Sequence, residues 1–399
     1  MIKLCTLSLH FTLNLELGTG KFRLSGRPNS GSNSSPSPYF MFARTQLLRV
    51  HRGNAVHGKR ALHDLVTLPG GKPVVSSGTP GYSAVSGHVV TVFGCTGFLG
   101  RYLVSKLARM GTQVIVPYRE EDDKRHLKPM GDLGQIVPME WDIRNEEQIA
   151  QCLRHSDIVY NLVGRNYETK NFKYADVHVS GAERVAKVAA DMGVARLVHL
   201  SHLNASPNST SQFYRTKAEG EERVKEAFPT ATIVRPASMY GYEDKLLNNM
   251  AVWPVWWKLN HAATNMRPVH VLDVAQALAN LMSIPQVPDT LSLPGPSTLS
   301  AEYLLELVAS VTCTSRSFAP PVPKRVALAV AKAAQATWWP LISPDEVERR
   351  YLDDANVPGD WDVVGVVPDE IENHAITYLR RYRSDDNYLR PVIIPARFT

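Results

Sequence analysis

The chain has 399 residues, of which 44% are hydrophobic and 21% charged, so it can bury the core of one large domain or of two smaller ones. This composition excludes a disordered or collagen-like chain, and the longest apolar runs are too short for a membrane-spanning helix. The net charge of +6 raises the question of a polyanionic partner.

The positive charge is concentrated at the amino terminus. Residues 1–63 contain nine basic residues and a single acid, Glu16, whereas the rest of the chain has 35 basic and 37 acidic residues. A nearly neutral body argues against a nucleic-acid binder, which needs clustered lysines and arginines. Because the segment is rich in serine and arginine and poor in acids, we predict a mitochondrial targeting segment, with a disordered tail as the alternative.

A second candidate start lies inside this segment. Residues 41–52 begin with Met41 and place apolar and basic residues on separate faces of a helix, as an import presequence does. The sequence thus leaves two hypotheses open. Either Met41 is the true initiator and residues 1–40 are an upstream extension, or the whole leader is authentic.

The cysteines do not indicate a disulfide framework or a metal site. Cys5, Cys95, Cys152 and Cys313 are far apart and form no Cys-x-x-Cys pair. We therefore predict no metal ion, and this cysteine usage is compatible with a reducing compartment such as the mitochondrial matrix.

The body of the chain shows strands alternating with helices. After a Gly-, Pro- and Ser-rich linker at 64–87, short β-branched runs alternate with amphipathic stretches such as the helix predicted over 98–110. This alternation indicates an α/β fold with a doubly wound parallel sheet over 88–245, to which 267–283 add a further strand and helix. We expect a smaller, mainly helical cap from 246–266 and 284–383, and a tail at 384–399. The strands are predicted at 88–93, 113–116, 135–139, 157–163, 195–201 and 231–234.

A glycine-rich turn follows the first predicted strand of this sheet. Gly94, Gly97 and Gly100 are spaced G-x-x-G-x-x-G and lead directly into the first helix. The first glycine permits a tight turn, the second lets the main chain approach a pyrophosphate, and the third lets the helix lie against the sheet. With a strand before it and a helix after it, the motif predicts a dinucleotide site in a Rossmann domain rather than a simple turn.

The end of the second strand indicates which dinucleotide is preferred. An acid there binds the ribose 2′-hydroxyl of NAD(H), whereas an arginine accommodates the 2′-phosphate of NADP(H). Arg119 occupies this end, and with Arg101 it favours NADP(H), NADPH being the predicted cofactor. The alternative is that Glu120, the first of four consecutive acids, turns inward, although a solvated charge run is the simpler interpretation of those acids.

Several motifs together resemble the extended and atypical short-chain dehydrogenases/reductases over about 88–283. The resemblance implies that Asp142 and Ile143 contact the adenine and that Val163 and Gly164 lie along the cofactor. The motifs are the glycine turn, Asp142-Ile143, 161–164 and 235–241. The residues expected to bind the cofactor are Gly94, Thr96, Gly97, Phe98, Leu99, Gly100, Arg101, Arg119, Asp142, Ile143, Val163, Gly164, Ser201, Lys217 and Pro236.

Within this family, segments 198–205, 217–221 and 268–273 are similar to the accessory subunits of mitochondrial respiratory complex I. That resemblance implies tightly bound NADPH without turnover, and a place on the matrix side of the inner membrane. It also implies other complex I subunits as partners.

Two tryptophan clusters, at 252–257 and 338–342, are explained by core packing or by contact with a partner or the membrane surface, as is the Ala/Val-rich helix at 324–337.

The catalytic set of active family members is incomplete. Those enzymes use a tyrosine four residues before a lysine, with a serine on the preceding strand. Ser201 and Lys217 match, but Phe213 stands four residues before Lys217 and cannot transfer a proton. Tyr214, the only substitute, is rotated by about 100° on a helix and should point away from the nicotinamide.

The weak catalytic candidates are therefore Ser201, Tyr214 and Lys217, and we expect Lys217 to keep a contact with the ribose. His178, where relatives commonly carry asparagine, adds a second departure from the family pattern. The sequence leaves two alternatives to a non-catalytic subunit open. One is an active NADP-dependent reductase or nucleotide-sugar epimerase, and the other is a module that senses the redox state of the nucleotide pool.

Overall fold

The computed structural model describes residues 64–67, 73–76, 86–252, 258–314, 320–337 and 343–397. The predicted targeting segment, the hypothesis on Met41 and the tryptophans of both clusters lie outside these residues. In the described part, two four-residue strands pair antiparallel within the predicted linker. The strands are β1 (Asp64–Thr67), β2 (Pro73–Ser76), β3 (Val89–Phe93), β4 (Gln113–Tyr118), β5 (Ile136–Glu140), β6 (Ile158–Asn161), β7 (Arg196–Leu200), β8 (Thr232–Pro236), β9 (Met239–Tyr240), β10 (Asn265–Met266), β11 (Val269–His270), β12 (Thr290–Leu293) and β13 (Leu299–Ser300).

The central sheet is parallel and doubly wound, as the alternation of strands and helices predicts. In the described residues it has seven strands in the order β12-β8-β7-β6-β3-β4-β5, so the chain runs outward from β3 in one direction and then crosses to the other side. Each of these pairings is parallel. The point where the direction reverses, next to β3, is where such folds bind ligands at the carboxyl ends of the strands.

Helices cover both faces of the sheet. They are α1 (Phe98–Arg109), α2 (Glu146–Leu153), α3 (Gly181–Asp191), α4 (Gln212–Ala227), α5 (Leu247–Val252), α6 (Val271–Asn280), α7 (Ala301–Thr312), α8 (Lys324–Thr337), α9 (Pro344–Arg349), α10 (Trp361–Val364) and α11 (Ile371–Leu379). A π-helical turn, Asp176–Ser180, leads directly into α3. Within the described residues, no helix combines the length and the apolar character that a membrane span needs.

Two apolar layers form the core of the sheet because successive strand residues point to opposite faces. On one face, Val90 and Val92 of β3 pack with buried residues of α1, α6 and α10. On the other face, Phe93 packs with α2, α3 and α4. The period of buried residues in α1, where Leu99, Leu103 and Leu107 face inward, is that of an amphipathic helix lying on a sheet.

The carboxyl-terminal region is mainly helical, as predicted, but its boundary differs from the predicted one. Strand β12, which falls in the range 284–383 assigned to the cap, is an edge strand of the main sheet and pairs with β8. The strand has four residues, in which the fully buried Leu291 and Leu293 alternate with two polar residues. Two leucines are too short an alternating pattern to predict a strand from the sequence. Helices α5, α7 and α11 share a separate apolar core.

Candidate functional site

The glycine-rich turn connects β3 to α1 with a geometry that only glycine allows at two positions. Gly94 has φ +81°, a left-handed conformation that disfavours side chains, and a Cβ there would lie 3.0 Å from the Leu162 carbonyl carbon. A Cβ on Gly100 would overlap the Gly94 carbonyl oxygen and the Cα of Cys95. The start of α1 therefore lies directly against the turn, as a dinucleotide site requires.

The amino terminus of α1 offers its backbone donors to a ligand. Gly97 stands at the N-cap in an extended conformation (φ −74°, ψ 177°), and no side chain of the described residues caps this end. The first N–H groups of a helix carry a partial positive charge and lack intrahelical acceptors. With Gly97 leaving room beside them, these groups are suited to an anionic group such as a pyrophosphate.

The two arginines predicted to favour a 2′-phosphate differ in their surroundings. Arg101 is paired with Glu243 at 2.7 Å, and the hydroxyl of Tyr102 donates to the same carboxylate at 3.2 Å. Arg119 follows β4, is exposed, and forms no ion pair in the part of the chain that the structure describes. Of the two guanidinium groups, Arg119 is thus the one without a competing carboxylate.

The acids that follow Arg119 are engaged along the surface. Glu121 contacts the ammonium of Lys124 at 2.5 Å, and Asp122 contacts Arg125 at 2.9 Å. Glu120 is exposed. Glu121 and Asp122 thus belong to a solvated charge run.

The ends of β5 and β6 lie on the two sides of the turn. Asp142 is exposed, and one of its carboxylate oxygens accepts the Arg144 N–H at 2.8 Å. Ile143 is buried against Gly181, so its side chain serves the core. After β6, the N–H of Val163 donates to the side chain of Asn161, and Gly164 is exposed.

Lys217 is the central buried charge of the site. It lies on α4, donates from Nζ to the Leu200 carbonyl oxygen at 3.0 Å, and adjoins Gly164, where an added Cβ would lie 3.3 Å from Nζ. Burial lowers the pKa of Lys217 to about 8, although the nearby Glu221 carboxylate opposes that shift. Glu221 is itself paired with Arg235 at 2.5 Å.

The lowered pKa makes a prediction about stability. Between pH 8 and 10.5 the unfolded chain holds a proton on Lys217 that the folded chain has lost, so the contribution of this group to the unfolding free energy rises with pH across that window. We expect the stability of the native protein relative to Lys217→Met to increase by about 3 kcal/mol from below pH 8 to pH 10.5. Urea unfolding of both proteins measures this difference, and parallel stability curves would contradict it.

Two orphaned side chains flank Leu200, the residue whose carbonyl oxygen accepts a hydrogen bond from the Lys217 ammonium. The hydroxyl of Ser201 is buried at the end of β7 and has no hydrogen-bond partner among the described residues. His199, on the same strand, is fully buried, and neither of its ring nitrogens has a partner there. Burial and the Lys217 charge lower its pKa to about 3, so the ring is neutral. Unpartnered buried polar atoms at this position fit a pocket that a polar ligand completes.

His178 is held as a neutral ring with a defined tautomer. Its Nε2 accepts the Arg165 N–H at 3.1 Å, and its Nδ1 lies 3.1 Å from the Thr216 hydroxyl. Because that hydroxyl donates to the Phe213 carbonyl, Nδ1 must carry the hydrogen. Burial, followed by the Lys217 charge, holds the pKa of His178 well below its ordinary value.

Phe213 and Tyr214 lie in an aromatic cluster instead of presenting a hydroxyl to a substrate. Phe213 is buried and makes edge contacts with Tyr174 and His178, with ring centroids 6.0 Å and 5.1 Å apart. Tyr214 is buried and packs against His202 at 4.9 Å. Burial raises the pKa of Tyr214 to about 12, the opposite of what a proton-transferring tyrosine needs.

The sequence did not point to two further residues at this site. Asp345 and Arg349 of α9, more than 130 positions beyond Phe213, contact the start of α4 and the ring of Phe213. An arginine and an aspartate four residues apart on a helix are common on protein surfaces, so nothing in the pattern marks this pair.

A separate group of possible metal ligands is formed by residues of β11 and of the segment around the start of α11. His270, Asp369 and His374 bring their ligand atoms within 4.8 Å of one another. The imidazoles stack, however, with centroids 4.1 Å apart and planes 14° apart, so their in-plane lone pairs do not converge on one point. Moreover, Nε2 of His270 is engaged in a hydrogen bond with the hydroxyl of Tyr378 at 2.7 Å.

Comparisons with known proteins place the fold and its relatives. Residues 90–283 match the model of the NAD dependent epimerase/dehydratase family. The chain is 42% identical to the mitochondrial NADH-ubiquinone oxidoreductase 40 kDa subunit of Neurospora crassa, over 84% of this chain and 89% of that protein. It is 40% identical to the mitochondrial NADH dehydrogenase [ubiquinone] 1 alpha subcomplex subunit 9 of Rattus norvegicus, over 78% and 85%. Among solved structures, dTDP-glucose 4,6-dehydratase from Streptomyces venezuelae, with NAD bound, shares the fold at TM-score 0.57 and 17% identity, over 76% of this chain and 99% of that one.

Proposed function

The chain belongs to the family of the 40 kDa and alpha subcomplex 9 subunits of mitochondrial NADH-ubiquinone oxidoreductase, and we therefore propose that it is an accessory, non-catalytic subunit of respiratory complex I. The observation that carries this proposal is the extent of the relationship, which spans most of both proteins. The absence of turnover is supported by Phe213, which offers no hydroxyl where active relatives carry their tyrosine, and by the raised pKa of Tyr214.

The proposed cofactor is NADPH. Gly94, Gly97 and the amino terminus of α1 would hold the pyrophosphate, and Arg119 the 2′-phosphate. Lys217 and the orphaned hydroxyl of Ser201 would face the nicotinamide ribose. A nicotinamide nucleotide supplies hydride transfer in active enzymes, but in this chain we propose that its role is structural. Binding to the folded state alone stabilises that state by mass action.

Arg119 provides a test of the cofactor preference. We expect Arg119→Ala to weaken NADPH binding by about 10- to 100-fold, since a hydrogen bond to a charged group is worth roughly 1.5–3 kcal/mol. NADH, which lacks the 2′-phosphate, should bind both proteins alike. Titration of the purified protein with each nucleotide measures the two affinities. Arg125→Ala is the matched control, because Arg125 is exposed and paired with Asp122. An equal loss for NADH would refute the assignment.

The proposed location is the matrix side of the mitochondrial inner membrane, with a peripheral contact to the membrane surface. Helix α8 supports this contact. Its Val326 and Val330 side chains are 53% and 43% exposed, and residues 320–342 contain three basic residues and no acid. An apolar helical face beside lysines and arginines is typical of a helix that lies on an anionic membrane.

The decisive experiment for the proposed function is native fractionation of mitochondrial membranes. We expect this chain to co-migrate with complex I and to carry NADPH in near-stoichiometric amount. A chain that migrates alone, or a complex that assembles normally around a variant shown to be free of nucleotide, would contradict the proposal.

An active NADP-dependent reductase or nucleotide-sugar epimerase is the alternative. The observation in its favour is that Ser201 and Lys217 both remain at the end of β7 and on α4, as in active members. It predicts turnover of a carbonyl substrate by the purified protein, and loss of that turnover in Tyr214→Phe.

A further inference from the structure

Helix α9 of the carboxyl-terminal region lies across the side of the nucleotide site where Phe213 is found. The helix begins after Ser343, whose hydroxyl caps the Glu346 N–H. Leu352, just beyond it, packs against the aromatic cluster of Tyr174, Phe213 and Tyr214. The contacts between α9 and this region are polar as well as apolar, and the polar ones come from Asp345 and Arg349, which lie four residues apart on one face of α9.

Asp345 binds the amino terminus of α4, the helix that carries Phe213 and Lys217. Its carboxylate accepts the Gln212 N–H at 2.7 Å and the Ser211 hydroxyl at 3.0 Å. Ser211 is the N-cap of α4 but does not cap that helix with its own side chain. Asp345 supplies the negative charge that a helix amino terminus favours, from another part of the chain.

Arg349 fills the space in front of the Phe213 ring. Its guanidinium carbon lies 4.7 Å from the ring centroid, and its Nη2 donates to the Asn166 carbonyl oxygen at 3.0 Å. The Tyr174 hydroxyl donates to the same oxygen at 2.8 Å. Arg349 is also paired with Asp345 at 3.3 Å, and its side chain is 15% exposed. The guanidinium is thus fixed on one side by a carboxylate, on another by a carbonyl, and below by an aromatic face.

A second set of bonds anchors the segment that follows α9. The side-chain amide of Asn204, in the loop after β7, donates to Asp354 at 2.9 Å, and its oxygen accepts the Ala355 N–H at 2.8 Å. The other carboxylate oxygen of Asp354 accepts the Arg267 N–H at 2.8 Å. Both loops that follow the strands next to the cofactor site, after β6 and after β7, are therefore bonded to residues 345–355.

We propose that α9 is an internal occupant of the substrate side of this Rossmann site, with the Arg349 guanidinium lying where a second substrate would meet the residue at position 213. The inference rests on the proposed non-catalytic function and deepens it. The chain lacks the tyrosine hydroxyl, and in addition its own arginine covers a face of the ring that stands in place of the tyrosine. A nucleotide held at the glycine turn would then have no carbonyl compound beside it, whatever compounds the surrounding solution contains.

If Arg349 closes the substrate side of the site in this way, which we call the closure, a side chain at position 213 should be poorly accessible to a reagent in solution. We expect a cysteine in Phe213→Cys to react slowly with a small maleimide, and about tenfold or more faster when Arg349→Ala is added, because the guanidinium and its bonds to Asn166 and Asp345 must open to admit the reagent. Mass spectrometry of the peptide that contains position 213 measures the rate separately from the native cysteines. Arg350→Ala is the matched control, since Arg350 is largely exposed and pairs with Glu346 of its own helix.

Each outcome of this experiment bears on the closure alone. Equal labelling rates in the Arg349→Ala and Arg350→Ala backgrounds, with thermal unfolding showing that the proteins are folded, would overturn it. Where Phe213→Cys fails to fold, the near-isosteric Ser201→Cys serves as a second reporter in protein stripped of nucleotide, with the same expected ratio. Labelling of the purified chain does not depend on its place in complex I, so failure here and failure of the proposed function are distinguishable.

Discussion

Replacing Gly97 with aspartate is expected to abolish nucleotide binding while leaving most of the fold intact. Gly97 has an ordinary φ of −74°, and an added Cβ would lie 3.2 Å from the Gly94 carbonyl oxygen, a close contact that requires a shift of a few tenths of an ångström. The carboxylate, however, would stand at the amino terminus of α1, where it competes with the pyrophosphate for the same N–H groups and repels its charge.

The loss of nucleotide binding is expected to appear as a smaller increase of the unfolding free energy when NADPH is added. With nucleotide a thousandfold above its dissociation constant, the native protein gains about 4 kcal/mol of unfolding free energy, and Gly97→Asp should gain almost none. Thermal unfolding with and without NADPH measures both gains. Ser300→Asp is the matched control, because it adds one negative charge at the N-cap of α7, where Ser300 accepts the Tyr303 N–H. A variant that keeps the NADPH-dependent shift would exclude α1 as the pyrophosphate site.

Replacing Gly220 with alanine is expected to destabilise the protein by about 3 kcal/mol, although the same change in an exposed helix stabilises it by roughly 1 kcal/mol. Gly220 lies inside α4, and a Cβ there would overlap the carbonyl oxygen of His178 in the π-helical turn before α3. The overlapping atom belongs to the backbone, so no side-chain rotation relieves it. The contact brings α4 and the turn close enough for His178 to lie beside Lys217, and relief of the clash would separate them.

Denaturant unfolding of Gly220→Ala measures this cost, and Gly193→Ala is the control. Gly193 has φ +67° with no atom near the position of a Cβ, so alanine there costs only the left-handed backbone conformation, about 1–2 kcal/mol. A Gly220→Ala protein as stable as the native one would show that α4 does not pack on the π-helical turn as closely as described.

The sequence predicted those parts of the site that depend on neighbouring residues. A glycine turn between a strand and a helix is a local arrangement, so its position at Gly94, Gly97 and Gly100 could be predicted from their spacing, and in the structure these residues join β3 to α1. The parallel sheet followed from strands alternating with helices, because such strands can only be joined by crossovers. The replacement of tyrosine by Phe213 was readable for the same reason, since a spacing of four residues on one helix defines the position.

Features that depend on distant parts of the chain could not be predicted. Strand β12 is too short and too polar on alternate positions to be distinguished from a loop, and its partner β8 lies more than 50 residues earlier. Likewise, the pairing that neutralises Arg101 comes from Glu243, 142 positions away. Asp345 and Arg349 can be recognised as part of the candidate site only through their contacts with α4, which the fold creates. In each case the feature depends on a contact that forms only through tertiary packing, so the spacing of nearby residues cannot predict it.

The bond from Asp345 to the start of α4 has a consequence for how the protein is made. The cap of α4 lies 133 residues beyond the helix that it caps, so the ribosome completes the whole parallel sheet before the capping carboxylate is synthesised. During that interval α4 has an uncapped amino terminus, which weakens a helix by about 1 kcal/mol. Phe213 and Lys217 lie on that helix, so the segment that carries them gains its full stabilisation only after residue 345 has been synthesised, later than the sheet on which it packs.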